Sequence, residues 1–557
     1  MNKLIITTGI RLSATMVLLL ISGCRSSWFD DPHMVQIPEE KLKQVEALDL
    51  FAMKAKEPAP SSPETPEEPP ETLELTLEKV RALTIENNLN LRAELISPRI
   101  AGTAAKSAEA RKYELVFQTG ITHNKTDLPT NGSGWEALGV NVDDPLVQQY
   151  FAENGIVLDL DSAQGEETTL STGLTAPLET GGALEISLSD TARKTNLSGT
   201  THTTPLTLSL SQPLLKGAGR REFQHSIRLA KYDWQYASAS AKLQLINTIA
   251  TADRAYWELY KSKKILEVRQ QQLKLTEKQL ESARRFVAAG QKPEVEILRA
   301  EAGLAGQQSD IIAAENAYRH SQRNLKYILN IPGLDINGPT ELIPQTETAP
   351  SFLKLDNKKL VAHAIQNRME LIQLELEMAR NASDIAHYRN AKLPDLDLQY
   401  YYTINSLDET RSGAYDMLGD KNYEDHRIAL ILRYPIGNYA GRSDLLAARQ
   451  RRQQLEFSRA DQRAFIEQEV HDALDNLNSS WQQINATRKS AQVDAKLFEA
   501  EKRQYEISMR TSTEVLEAQA RYANSVSAEY IALANYQIAL MQLAQSTGTL
   551  LGAAKVE

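Results

Sequence analysis

The chain has 557 residues and carries 62 Lys plus Arg against 72 Asp plus Glu, a net charge of −10. Hydrophobic residues reach 42% but aromatics only 6%, a blend of aliphatic and charged residues that fits long packed helices better than three or four separate globular domains. The acidic excess gives no electrostatic reason to bind nucleic acid, and a single cysteine excludes both an intrachain disulfide framework and a cysteine-based zinc cluster.

Residues 1–23 read as a secretory signal: Lys3 and Arg11 precede an apolar run, Leu12 to Ile21, that is too short to span a bilayer. Ile21-Ser22-Gly23-Cys24 resembles the lipobox of bacterial lipoproteins, which implies that Cys24 becomes the lipidated first residue of the mature chain. Arg25, rather than Asp, points within that class to the outer membrane. Residues 24–72 form the lipidated N-terminus and a linker. Its last 16 residues hold six prolines and five glutamates, a composition that buries no apolar surface and suits an extended tether.

From Leu73 the chain can be laid over itself, which predicts two repeats, residues 73–345 and 346–557. Val80-Arg81-Ala82-Leu83-Thr84-Ile85-Glu86-Asn87-Asn88 recurs as Leu360-Val361-Ala362-His363-Ala364-Ile365-Gln366-Asn367-Arg368. Pro213 followed by Ala218-Gly219-Arg220 recurs as Pro435 followed by Ala440-Gly441-Arg442. Glu296-Ile297-Leu298-Arg299-Ala300-Glu301-Ala302 recurs as Glu514-Val515-Leu516-Glu517-Ala518-Gln519-Ala520.

Each repeat predicts strands with one apolar and one wet face, because residues alternate with period two. In the first repeat these stretches lie near 114–123, 167–176, 183–190 and 205–212, with Glu179-Thr180-Gly181-Gly182 as a hairpin turn and Leu128–Glu166 as a long loop. In the second, Leu396 to Tyr402 and Ile428 to Tyr434 alternate in the same way. Between them run segments without Pro or Gly, Arg220 to about Ala288 and Arg442 to about Ile507. At 1.5 Å per residue such a helix would be roughly 100 Å long. Each then turns, near Gly290-Gln291-Lys292-Pro293 and Ser508-Met509-Arg510-Thr511, into a returning helix. There Ala300, Ala302, Ala305, Ala518, Ala520 and Ala523 permit close coiled packing. With no membrane helix after residue 24, any membrane-spanning part must be a closed β-barrel, and one chain has too few strands to close one.

The duplicated plan, Gln212-Pro213-Leu214-Leu215 with Gly219 after a strand, the tip Arg510-Thr511-Ser512-Thr513-Glu514-Val515-Leu516-Glu517-Ala518 and the closing Gly548-Thr549-Leu550-Leu551-Gly552 together resemble the TolC family of outer-membrane efflux and secretion channels. The resemblance covers nearly all of residues 73–553. It implies a mainly α fold with a membrane β-barrel: a homotrimer whose long antiparallel α-hairpins make a periplasmic α-barrel, and whose chains each give four strands to a shared 12-stranded barrel. The first repeat departs from this plan by two extra strands, which either decorate or enlarge the barrel.

The resemblance further implies a duct in the outer membrane, receiving substrate from an inner-membrane transporter through a periplasmic adaptor. Its periplasmic tip would be shut by a clasp in which Arg510 and Tyr505 reach Glu296. Glu514 and Glu517 resemble paired aspartates that ring the entrance, with Glu in place of Asp; mutual repulsion in such a ring would raise their pKa values. Val295 stands where a hydroxyl-bearing clasp partner can occur. Loss of Tyr505 and Arg510 from the clasp is then expected to raise conductance.

No chemistry competes with this reading. The nine histidines form no zinc-binding spacing, and Glu467 and His471 lack a second pair. Gly217-Ala218-Gly219 lacks the third glycine of a dinucleotide loop, since residue 222 is Glu. Arg449, Arg451 and Arg452 read as a solvated helical stripe. The expectation is therefore no enzyme, no cofactor and no metal. The other class to weigh is a lipid-anchored coiled-coil spacer without transport, which explains the helices but leaves the alternating strands unexplained.

Overall fold

The computed structural model describes residues 72–129, 144–153, 162–195, 199–346, 350–507 and 509–553. The signal at 1–23, the lipidation at Cys24 and nearly all of the 24–72 linker fall outside the described residues.

The first repeat begins with β1 (Thr72–Leu75), α1 (Leu77–Asn87), α2 (Leu89–Glu94) and α3 (Ser97–Tyr113). Next come β2 (Val116–Pro129), α4 (Pro145–Glu153), β3 (Ser162–Pro177), β4 (Ala183–Thr195), β5 (Gly199–Thr203) and β6 (Leu206–Pro213). It ends with α5 (Arg220–Phe223), α6 (His225–Ala288), α7 (Val295–Leu329) and β7 (Glu341–Pro344). The second repeat has α8 (Asn357–Asn367), α9 (Met369–Ala391), β8 (Asp395–Ile404), β9 (Leu407–Asp408), α10 (Arg411–Asp420) and β10 (Glu424–Arg433). It closes with α11 (Tyr439–Glu506), α12 (Ser512–Ser546) and α13 (Leu550–Ala553). Matching landmarks give matching helices: α1 and α8 have 11 residues each, and α7 and α12 have 35 each.

Two compact units are each assembled from both repeats. Among the described residues, one comprises Thr103–Lys231 and Arg380–Arg452. It contains an antiparallel sheet in the order β10-β8-β6-β4-β3-β2, with β5 and β9 off that path. The register sorts the side chains cleanly. Phe117, Leu174, Ile186, Leu208 and Tyr402 are successive cross-strand partners on one face, and Gln118, Gly173, Ser187, Thr207 and Thr403 on the other. The apolar face is bare in the single chain: Ile121 is 74% exposed and Ile428 73%. The Glu179–Gly182 turn forms as expected, with Gly181 at φ 89° and the Leu178 N–H donating to the Gly182 carbonyl at 2.8 Å.

The strands outrun their expected limits. Residues 128 and 129, expected in the long loop, end β2, and β3 starts at Ser162 rather than near 167. Beyond the apolar band these strand ends carry charge pairs such as Lys125–Glu166 at 3.3 Å, so the ladder continues after the hydrophobic alternation has stopped.

The other unit is helical. Its main core gathers Leu75, Val80, Tyr256, Trp257, Leu259, Leu325, Leu329 and Leu342, each worth roughly 1.5–3 kcal/mol when fully buried. The parallel pair β1–β7 is stitched to this core by the Tyr256 hydroxyl, which donates toward Thr346 Oγ1 at 2.6 Å and the Leu75 carbonyl at 3.2 Å. Beside it, Arg81 grips the buried Asp253 carboxylate through two nitrogens, at 2.9 and 2.6 Å. Burial nonetheless leaves the Asp253 carboxyl titrating above its ordinary value.

Candidate functional site

The tip residues singled out in the sequence all belong to the helical unit, where the α6–α7 and α11–α12 turns meet. The returning helices pack closely because small residues line the contact. Ala300 and Ala518 are buried, and a Cβ on Gly303 would stand 2.8 Å from the Leu516 side chain. Ala523 is buried as well, whereas Ala302 and Ala305 face outward within the chain.

The start of α12 explains which bonds form. The first amides of a helix lack intrahelical acceptors, and here three groups supply them. Thr511 is the N-cap of a capping box: its Oγ1 accepts from the Glu514 N–H, while Glu514 Oε2 accepts from the Thr511 N–H at 2.8 Å. The Ser512 N–H, the next orphan, donates to Glu296 Oε2 at 2.7 Å. Glu296 therefore caps α12 from the other repeat's hairpin, and the positive end of the helix favours its charge. Its second oxygen accepts from Arg299 Nη1 at 2.7 Å, and the residue is only 4% exposed.

Arg510 is committed elsewhere. Its Nη1 donates to Glu514 Oε1 at 2.5 Å and its Nε to Gln504 Oε1 at 2.9 Å, with Glu501 Oε2 at 3.2 Å. The expected Arg510–Glu296 contact is thus not the one made within the chain, because Arg510, in the turn before α12, meets the capping carboxylate of Glu514 only four residues on. Glu514 is correspondingly held below the ordinary carboxylate value, by the Thr511 N–H first and Arg510 second. The upward shift expected for an entrance ring arises between chains and would act against this intrachain stabilisation. Glu517, three residues on, is exposed.

Tyr505 is 1% exposed, and its hydroxyl neighbours that of Ser512 but makes no full hydrogen bond among the described residues. It therefore makes no bond to Glu296. The ring packs edge-on against Phe286 at 5.8 Å between centroids. Burial, with the Glu296 charge adding to it, raises its pKa.

One residue that sequence reasoning missed joins the two turns. Lys292 Nζ donates to the carbonyls of Tyr505 at 3.2 Å and Arg510 at 3.4 Å, and lies 3.0 Å from the Tyr505 ring centroid. Burial pulls its pKa down, opposed by Glu296. The signal was present in the duplication. The register that lays Glu296 on Glu514 also lays Lys292 on Arg510, so each turn carries a cation four residues before a glutamate. Among the described residues, no group of three or more His, Cys, Asp or Glu could hold a metal ion.

The outer membrane efflux protein family profile matches residues 182–330 and 360–549 of the chain. Over 323 residues, 57% of this chain and 70% of the relative, it is 23% identical to the outer membrane protein TolC of Vibrio cholerae. The fold is similar to the CmeC outer membrane channel of Campylobacter jejuni, at 14% identity and a TM-score of 0.61 over 85% of this chain and 86% of that one. It is also similar to the open state of the MtrE outer membrane channel of Neisseria gonorrhoeae, at 15% identity and a TM-score of 0.56 over 85% and 89%.

Proposed function

Because the chain belongs to the outer membrane efflux protein family, we propose that it is the outer-membrane exit duct of a tripartite efflux or type I secretion system. In this reading three copies enclose one channel, which takes substrate from an inner-membrane pump and a periplasmic adaptor and is gated at its periplasmic tip. The observation that carries it is the sheet: one continuous apolar face left uncovered, an opposite polar face, and two edges, β2 and β10, with no partner strand among the described residues. An exposed apolar area of that size needs lipid or protein over it, and an open edge of that length invites a neighbouring chain. A barrel shared between copies meets both demands with its polar face toward a wet lumen. Among the described residues no helix is long and apolar enough to cross a membrane, so the strands alone would do so.

At the tip, the resting state is held by Glu296 on the Ser512 amide and by Lys292 on two carbonyls. Opening separates the two turns when an adaptor docks, as a two-state shift. Glu514 and Glu517 of three chains line the entrance, with Arg510 offsetting the charge of Glu514. Cys24 carries the lipid that tethers each chain to the outer membrane. Energy and cargo choice reside in the pump, so the duct itself does no chemistry.

The test is reconstitution of the purified full-length protein into planar bilayers, with its mass in mild detergent measured in parallel. A trimer with discrete ion-conducting events is expected. A monodisperse single chain without ion flux would reject the duct and leave the lipid-anchored spacer.

A further inference from the structure

We infer that the hairpin β3–β4 is built into the pore wall, so that three chains of six strands close a barrel of eighteen, wider than four strands per chain would make. The inference rests on the trimeric duct proposed above.

The internal duplication supplies the control. β8 follows α9 and β10 precedes α11, and these two strands pair directly. Their counterparts in the first repeat are β2, after α3, and β6, before α5 and α6. These do not pair: β3 and β4 stand between them, each bonded on both sides. A decorating hairpin would leave β2 beside β6. This one separates them and lengthens the path from edge to edge.

The inserted strands also carry the wall's chemistry in register with their neighbours. Leu170 and Leu174 on β3, and Leu184, Ile186 and Leu188 on β4, continue the apolar face from Phe117 and Ile121 through to Leu206, Leu208 and Leu210. On the opposite face Ser171, Gly173, Ser187 and Ser189 continue the polar one, and Thr169 on β3 bonds Thr191 on β4 at 3.0 Å. A hairpin in water on both sides has no use for Leu174 and Ile186 at 41% and 48% exposure. Against lipid the same residues are at home.

Five antiparallel steps lie between the edges, so β2 and β10 run in opposite directions. The β10 of one chain can therefore pair antiparallel with the β2 of the next, and the ring closes without a free edge. For strands ~4.8 Å apart tilted ~40°, the backbone radius grows from ~12 Å at twelve strands to ~18 Å at eighteen. The cargo class this admits at the outer opening is broad solutes, such as hydrated polymers and peptides, and the constriction that selects by size is the tip.

The experiment compares the full-length protein with a variant in which residues 130–205 are replaced by the second repeat's own connection, residues 405–423, which joins β2 to β6. Both are reconstituted, and poly(ethylene glycol)s of graded size are added on the extracellular side while conductance is recorded. The exclusion radius of the unaltered protein should exceed that of the variant by at least about 1.5-fold, since side chains narrow both backbone radii by the same layer; equal radii overturn the inference. Should the variant fail to assemble, strands are counted in the unaltered oligomer by electron cryomicroscopy in lipid nanodiscs. Eighteen strands support the wide wall. Twelve, from a trimer with the hairpin folded away, overturn it while leaving the duct intact; twelve from two chains overturn it and the trimeric reading together. Absence of any oligomer and any flux would instead strike the duct reading, and this inference with it.

Discussion

The two turns at the tip began as copies and now divide the work unequally. In the second repeat the cation and the glutamate four residues on keep to themselves: Arg510 bonds Glu514, which also closes the capping box of its own helix. In the first repeat the same pair is parted and spent on the neighbour. Lys292 goes to two carbonyls of the second turn, and Glu296 goes to the amide of Ser512. Pro293 lies next to Lys292 and brings no N–H of its own, and α7 has no side-chain cap bond at its start. A turn that does not cap itself has its charges available for another. Exposure then ranks the two pairs: the buried carboxylate of Glu296 is costly to orphan, whereas the half-exposed Arg510 is screened by water.

That contrast is most exposed to failure at Glu296. Glu296→Ala should strand the Ser512 N–H and loosen the tip by about 1–3 kcal/mol, the cost of an unsatisfied buried donor. The readout is a clear rise in single-channel conductance, with Glu296→Gln recovering part of the closed behaviour because it keeps an acceptor. Lys292→Met should act in the same direction but less, by about 0.5–1.5 kcal/mol, since its carbonyl partners can turn to water. Equal or larger opening by Lys292→Met would reverse the assigned order. Arg510→Ser should leave conductance near that of the unaltered protein and change chiefly cation selectivity at low salt, because it unmasks Glu514. Tyr505→Phe should do least, as its hydroxyl has at most the neighbouring Ser512 hydroxyl to lose; a marked opening by that variant alone would overturn this ranking.

Acid sharpens the same division. The Glu514 carboxyl titrates below its ordinary 4.5, so its contribution is complete above that value. It fades only as the pH falls below it and through the depressed value. Arg510→Ser and the unaltered protein should therefore differ in selectivity at neutral pH and converge in strong acid, as followed by reversal potentials.

The plan of the fold could be read from the chain because duplication writes each landmark twice and period two marks a strand against lipid. The Glu179–Gly182 turn was legible for a local reason, its glycines. Strand length was not. Outside the apolar band, β3 and β4 hold together through pairs such as Glu167–Arg193 at 3.8 Å, which resemble loop composition when read along one strand. The insertion of β3–β4 was visible as extra alternation, but its neighbours depend on register between distant segments. At the tip, the positions of Glu296, Tyr505 and Arg510 were legible and their partners were not. An orphan amide at Ser512 leaves no mark in the side-chain pattern, and proximity made Glu514 the nearer partner for Arg510.

The strands of the first repeat also bear on how such walls change over evolutionary time. A single added strand would reverse the heading of everything downstream and deliver the next helix to the wrong end of the sheet. A pair restores the heading, and α5 and α6 can still follow β6 as α11 follows β10. Growth by this route is quantised: the lineage can enlarge its aperture only in whole ribbons, and every such step leaves the shaft helices untouched.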